Sequence, residues 1–322
     1  MRKMRITNYE LRITNVKSVS RFFVIFYVLF LSAVNSFAQD IIPTQRQIDW
    51  IAEANFLSQR ISNGTSEQKR DALMQIRNLE TADASQIAVA ALRDDSEIVR
   101  ATATAAVIFL PADEAVSNLL PLLRDKKPLV RREAAYALGK VGNATAINPL
   151  LQILQKDKVL EVRNAAIIAL GEIGDVSAVS ELIKFLQRKP QAKEEFTRRS
   201  AARSVGQIAQ IIQIGKIEVI TPENFLPGGF KSVERPKYPK LIEAFPQFRP
   251  AIAVLIQTVQ NPQEFQDAKR EAAFALGAIG DESAISILRA NLANEDYYLA
   301  EICRESLRKV ALADALEITG EN

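Results

Sequence analysis

One ten-residue pattern recurs along this chain and restricts its fold more than any other feature. It reads VRREAAYALG from Val130 to Gly139 and VRNAAIIALG from Val162 to Gly171. It returns as TRRSAARSVG from Thr197 to Gly206 and AKREAAFALG from Ala268 to Gly277. Weaker copies begin at Gln68, Val99 and Leu299, so that successive starts lie 31, 31, 32, 35, 71 and 31 residues apart. The interval of 71 is one period plus about forty inserted residues. A period of this length belongs to a solenoid, in which each unit buries its apolar face only against its neighbours.

Two columns of the repeat state the packing. The fifth position holds Ala72, Ala103, Ala134, Ala166, Ala201, Ala272 and Cys303, and the ninth holds Ile76, Val107, Leu138, Leu170, Val205, Leu276 and Leu307. These positions are one helical turn apart and share a face. The small column admits a neighbouring helix, and the aliphatic column fills the layer between them. Cys303 stands in the small column and is expected to be a buried packing residue. As the single cysteine it excludes an internal disulfide, a thiolate zinc site and a CxxC pair.

A second apolar pattern of helical period follows each motif, as in Ala146 to Leu154, Ala178 to Leu186 and Ala284 to Leu288. Each unit is therefore a motif helix, a loop and a second helix. Gly142, Gly174 and Gly280 stand where a helix end takes a left-handed residue, and Asn143, Asp175 and Asp281 follow to turn the chain. Asp95, Asp125 and Asp157 are expected to precede the second helices as caps, and Pro128 suits a first helical turn.

The strings VRREAAYALGKVGNATAINPLLQIL, Val130 to Leu154, and VRNAAIIALGEIGDVSAVSELIKFL, Val162 to Leu186, resemble the HEAT-like repeat family, in the variant also seen in phycobilisome lyases. The resemblance covers residues 66–206 and 251–312. It implies an all-α fold, a right-handed α-solenoid of about seven HEAT-like helix pairs, with second helices lining the concave side and a protein-binding role. The match is confined to packing positions and transfers no catalytic residue.

Charge recurs with the same period. The second position carries Lys69, Arg100, Arg131, Arg163, Arg198 and Lys269. A cation near a helix N-terminus opposes the macrodipole and needs carboxylate partners. Asp95, Asp125, Asp157, Asp175 and Asp281 in the adjoining loops predict a structural Arg–Asp ladder between repeats. The third and seventh positions vary more. Arg132, Tyr136, Arg199, Arg203, Arg270 and Phe274 are expected to form an exposed, Arg- and aromatic-rich face on the concave side, the composition that anchors a protein partner. The alternative is a solvated face with a few core aromatics.

Residues 207–250 replace a simple turn and hold six of the chain's 13 prolines. They also hold Phe225, Phe230, Tyr238, Phe245 and Phe248. Lys216 to Val219 alternates like a short strand. The segment is too aromatic for a flexible linker. It is expected to pack on the solenoid and shape the partner site beside repeats five and six, or else to cover exposed helix surface.

Residues 1–38 read as a signal peptide: a basic n-region, an unbroken apolar run from Phe22 to Leu31, and Ser36-Phe37-Ala38 before Gln39. Cleavage is expected after Ala38, leaving a mature solenoid of residues 39–322 that is periplasmic or secreted. Membrane contact would come only through an uncleaved leader. The motif Arg5-Ile6-Thr7-Asn8 recurs from Arg12 to Asn15, which points to a downstream start or a duplicated remnant. If the leader is a false start, the chain is a cytoplasmic HEAT adaptor.

The leader carries six cations against Glu10, so the chain's net +3 becomes −2 in the remaining 284 residues. No net positive field is left to attract nucleic acid. The absence of His removes imidazole bases, His metal ligands and His pH switches. No GxSxG or phosphate-cradling loop occurs. The reading is an exported scaffold or adaptor that is not an enzyme and needs no cofactor or metal. Handling of a bilin chromophore, as in phycobilisome lyases, is the alternative.

Overall fold

A computed structural model describes residues 45–217, 236–238 and 240–319. In chain order its α-helices begin with α1 (Gln45–Asn63), α2 (Ser66–Leu79), α3 (Ala82–Ala88), α4 (Glu97–Ala106) and α5 (Ala112–Leu119). Then come α6 (Pro128–Val141), α7 (Ile147–Lys156), α8 (Leu160–Ile173), α9 (Val179–Gln187) and α10 (Glu195–Ile214). The remainder are α11 (Leu241–Ala244), α12 (Arg249–Gln260), α13 (Gln266–Ile279), α14 (Ile285–Ala290) and α15 (Tyr297–Thr319). The chain divides after Phe56 into two units. In the first, the described residues form only the start of α1; the second, from Leu57, holds the repeats.

The motif helices α2, α4, α6, α8, α10, α13 and α15 pack each on the next, and the second helices α3, α5, α7, α9, α12 and α14 lie against them. This is an all-helical, solenoid-like repeat stack. Six complete pairs are described, and α15 stands as a seventh motif helix without a second helix after it among the described residues.

The fifth-position column is fully buried from Ala72 through Cys303. The ninth is buried from Ile76 through Leu276, and Leu307 on α15 is half-exposed, with no further repeat over it among the described residues. Closer contact occurs at positions eight and ten. Gly139 lies so near α8 that a Cβ there would sit 2.7 Å from the Ala169 Cα. A Cβ on Gly206 would sit 2.5 Å from the Phe274 ring and 3.0 Å from the Ala275 Cα. Position eight facing the glycines is small, and opposite Gly171 and Gly277 it is Ser204 and Ser306, which donate from Oγ to the carbonyls of Ile167 and Ala273 on the preceding motif helix, each at 2.9 Å.

The loops follow local chemistry. Gly142, Gly174 and Gly280 end α6, α8 and α13 with φ of 70, 80 and 75°. Asn143, Asp175 and Asp281 each accept from the backbone N–H two residues on and start a 3-10 turn into the second helix. Thr65 and Gln68 close a reciprocal capping box on α2. Pro128 opens α6.

Two expectations need correction. Asp125 and Asp157 precede the motif helices α6 and α8, not the second helices, and in the loop before α4 Asp94 makes the equivalent turn in place of Asp95. The insert is also shorter than 207–250. Residues 207–214 continue α10 because Ile208 and Ala209 still face the core, and Pro250 already lies in the first turn of α12. The leader and the second half of the expected strand at 216–219 lie outside the described residues.

Candidate functional site

The row of cations is built into a ladder along the edge where second helices hand over to motif helices. Arg100 donates from Nε and Nη2 to Asp125 at 2.8 and 3.1 Å, and from Nη1 to the Asp94 and Asp95 carbonyls. Arg131 holds Asp157 at 2.6 and 3.1 Å and donates to the Asp125 carbonyl at 2.8 Å. Each guanidinium thus joins two successive loops. Lys69 makes a single-point version with Asp94 at 2.6 Å. Burial alone would raise the carboxyls of Asp94, Asp125 and Asp157. The hydrogen bonds and charges of Lys69, Arg100 and Arg131, with one backbone N–H donor to each carboxylate, together outweigh it and hold all three below the ordinary aspartate value.

Beyond Asp157 the expected pairing changes. Arg163 donates only to the Asp157 carbonyl, at 3.0 Å. Asp175 and Asp281 cap their own 3-10 turns and take no part in the ladder. Arg198 is almost fully buried and grips Glu264 with Nε and Nη2, while Nη1 reaches the Phe185 and Arg188 carbonyls. In the sixth repeat Lys269 gives way to its neighbour. Arg270, expected on the partner-binding face, binds Asp296 through Nε and Nη2.

The expected partner-binding residues lie on motif helices α6, α10 and α13, not on the second helices. Arg132 pairs with Glu133 beside it at 2.6 Å. Tyr136 is half-buried, and burial lifts its phenol above the ordinary value against the opposing charge of Arg132. Arg199 bonds Asp267 at 3.0 Å and stacks over the Phe196 ring at 5.0 Å. Arg203 reaches Glu271 at 3.1 Å; burial still lifts the Glu271 carboxyl above its ordinary value. Arg270 lies over the Tyr298 ring at 5.2 Å and also pairs with Asp267. These contacts bring Phe196, Arg199, Asp267, Arg270 and Tyr298 into one strip across α10, α13 and the start of α15.

Phe274 does not join that surface. It is only 6% exposed, because Gly206 leaves a slot that its ring fills. Of the insert aromatics, Tyr238 meets Phe245 edge-on with centroids 5.2 Å apart. Tyr238 is tied to the end of α10, with Gln213 donating to its carbonyl and accepting from its N–H, both at 2.9 Å. Phe248 is fully buried at the entry to α12 and belongs to the core. Phe225 and Phe230 lie outside the described residues.

Sequence reasoning missed Glu264, Asp296, Phe196 and Tyr298. The first two are legible only once the turn-forming Asn261 and Asn294 are aligned with Asp125 and Asp157. The two aromatics fall just ahead of or beside the motif and escape a column-by-column reading. Among the described residues no group of three or more His, Cys, Asp or Glu could hold a metal ion, and no helix is long and apolar enough to cross a membrane.

A model of HEAT repeats matches residues 85–171 and 147–214, and a model of the PBS lyase HEAT-like repeat matches residues 268–294. Residues 85–214 and 268–294 are HEAT-like repeats. No curated protein matches this chain. Among solved structures, an engineered protein is 18% identical with a TM-score of 0.49, covering 83% of this chain and 72% of its own. The complex of CpcE and CpcF of phycocyanin lyase from Nostoc sp. PCC7120 is 19% identical with a TM-score of 0.45, covering 82% and 94%. Human deoxyhypusine hydroxylase is 18% identical with a TM-score of 0.35, covering 81% and 96%.

Proposed function

We propose that this HEAT-repeat chain is an exported, non-catalytic scaffold that holds a protein partner against its motif helices. The observation that carries the reading is the strip from Phe196 to Tyr298. Phe196 and Tyr298 remain 42% and 40% exposed although Arg199 and Arg270 stack on them, and Tyr297 beside them is 65% exposed. Rigid aromatics with stacked guanidinium groups are the composition that anchors protein interfaces. The end of the insert, held to Gln213, places Tyr238 and Phe245 at the far end of α10. Burial pushes the Cys303 thiol up to about 12, which keeps it protonated and unsuited to attack. Export rests on the leader-like residues 1–38.

The test is capture on the immobilised full chain, with bound proteins identified by mass spectrometry. A defined protein retained by the native chain and lost with F196A/Y297A/Y298A supports the scaffold; retention of nothing, or equal retention by both, removes it. N-terminal sequencing of the mature protein tests cleavage after Ala38. The match of residues 268–294 to the PBS lyase repeat favours a second reading, handling of a bilin on an acceptor protein. Co-expression with bilin and acceptor should then yield covalent colour.

A further inference from the structure

The fourth rung of the ladder lacks its carboxylate. Asp94, Asp125, Asp157 and Asn261 each follow the last turn of a second helix and accept from the N–H two residues on. Arg188 holds the corresponding place after α9. It has extended backbone like Asp157, with φ −76° and ψ 156° against −68° and 135°. Its carbonyl accepts from Arg198 at 2.8 Å, as the Asp157 carbonyl accepts from Arg163 and the Asp125 carbonyl from Arg131. Where the repeat calls for an acid opposite Arg163, the chain supplies a second cation.

The Arg188 side chain turns onto the Phe185 ring, 4.9 Å from its centroid. Arg163 is half-buried and keeps Nη1 on the Asp157 carbonyl, the anchor that Nη1 makes in the closed rungs. Nε and Nη2, the fork that grips a carboxylate on Arg100, Arg131 and Arg198, meet no carboxylate among the described residues. Among the described residues Glu161, Glu194 and Glu195 form no ion pair with Arg163 or Arg188, and the Asp157 carboxylate, already held by Arg131, reaches Arg163 through its charge alone. Exposed Lys156, Lys158 and Lys189 flank the gap on the two loops that bound it.

We propose that this open rung receives an acidic side chain of a protein partner, whose carboxylate takes the place held elsewhere by Asp125, Asp157, Glu264 and Asp296. A planar guanidinium fork anchored at one end is shaped for bidentate carboxylate binding, and the cationic loops steer an acidic segment towards it. The inference rests on the scaffold reading and names the chemistry of the partner at one point.

The probe is a fluorescent twelve-residue peptide of alternating Glu and Gly, read by anisotropy on the full chain, with a Gln-Gly peptide and inorganic phosphate at equal ionic strength as controls. The Glu peptide should bind, the Gln peptide should not, and phosphate should compete only weakly. R163Q should weaken binding at least tenfold. R188D should weaken it as much while raising Tm, because an internal aspartate closes the rung; that gain separates an occupied site from a damaged fold. Unchanged binding in either variant overturns the proposal, as does phosphate competing as well as the Glu peptide. Partner capture by the immobilised chain that survives both variants would sink this site and leave the scaffold standing, whereas absence of any capture counts against the scaffold itself.

Discussion

In repeats one to three a single aspartate does two jobs. Asp94, Asp125 and Asp157 each turn the loop through their own side chain and hold the cation of the preceding motif helix. In repeats five and six the jobs are divided. Asn261 and Asn294 make the turn, and Glu264 and Asp296 bind Arg198 and Arg270. The paired residues are 25 or 26 apart in the first group, whereas Arg198 and Glu264 are 66 apart, with the insert between them. The long-range rung is also the deepest: its side chains are 2% and 0% exposed, against 9% and 11% for Arg100 and Asp125. The insert interrupts the sequence period and leaves the packing period intact, since α10 still packs on α13 and α9 still meets α12.

Depth sets the Arg198–Glu264 rung apart from all the others, so breaking it should have the largest effect. R198M leaves Glu264 buried and unpaired and should cost about 3–5 kcal/mol in denaturant unfolding. The double variant R198M/E264L should recover most of that loss. R100Q at the shallower rung should cost about 1.5–3 kcal/mol, because water can still reach Asp125. Equal losses at the two rungs would break the comparison.

Gly206→Ala should come next, at about 1–3 kcal/mol, since the new methyl meets the Phe274 ring and the Ala275 backbone. It should also increase the exposure of Phe274, read by chemical-shift change around the ring.

Acid should loosen rungs of both groups. Although burial, the largest single influence, opposes it, the hydrogen bonds and charges of the Arg and Lys partners together with backbone N–H donors hold Asp94, Asp125, Asp157 and Asp296 below the ordinary 3.8. A carboxyl lowered on folding stabilises the native state above its unfolded value, and that stability is lost as pH falls below 3.8 through the folded values. Denaturant midpoints measured downward from pH 5 should therefore fall, and D157N should flatten the slope.

The smallest effect is expected from replacing 218–235 with a short Gly-Ser bridge. Lys237 and Tyr238 already bond Gln213, so the flanking ends are held together. Tm should stay within the shift of about 0.5 kcal/mol typical of surface changes. A larger deletion, 216–247, would remove buried Leu241 and should destabilise the chain.

Much of this fold can be read without coordinates. The period, the buried Ala72-to-Cys303 column, the left-handed Gly142, Gly174 and Gly280, and the side-chain turns after them follow from interactions within a few residues. The candidate site is less legible. Arg199 and Arg203 do lie on a motif-helix surface, yet Phe274 lies inside and Arg270 is drawn into the ladder.

Local side-chain chemistry and helical spacing, then, were enough to determine helix pairs stacked in a row, and a row of cations in need of acids. Which acid meets which cation, which aromatic finds a slot, and which guanidinium is left open were decided only in three dimensions. The physical reason is reach: a guanidinium fork is satisfied by whichever loop the stacking brings within about 3 Å, and that loop can lie one repeat or a whole insert away.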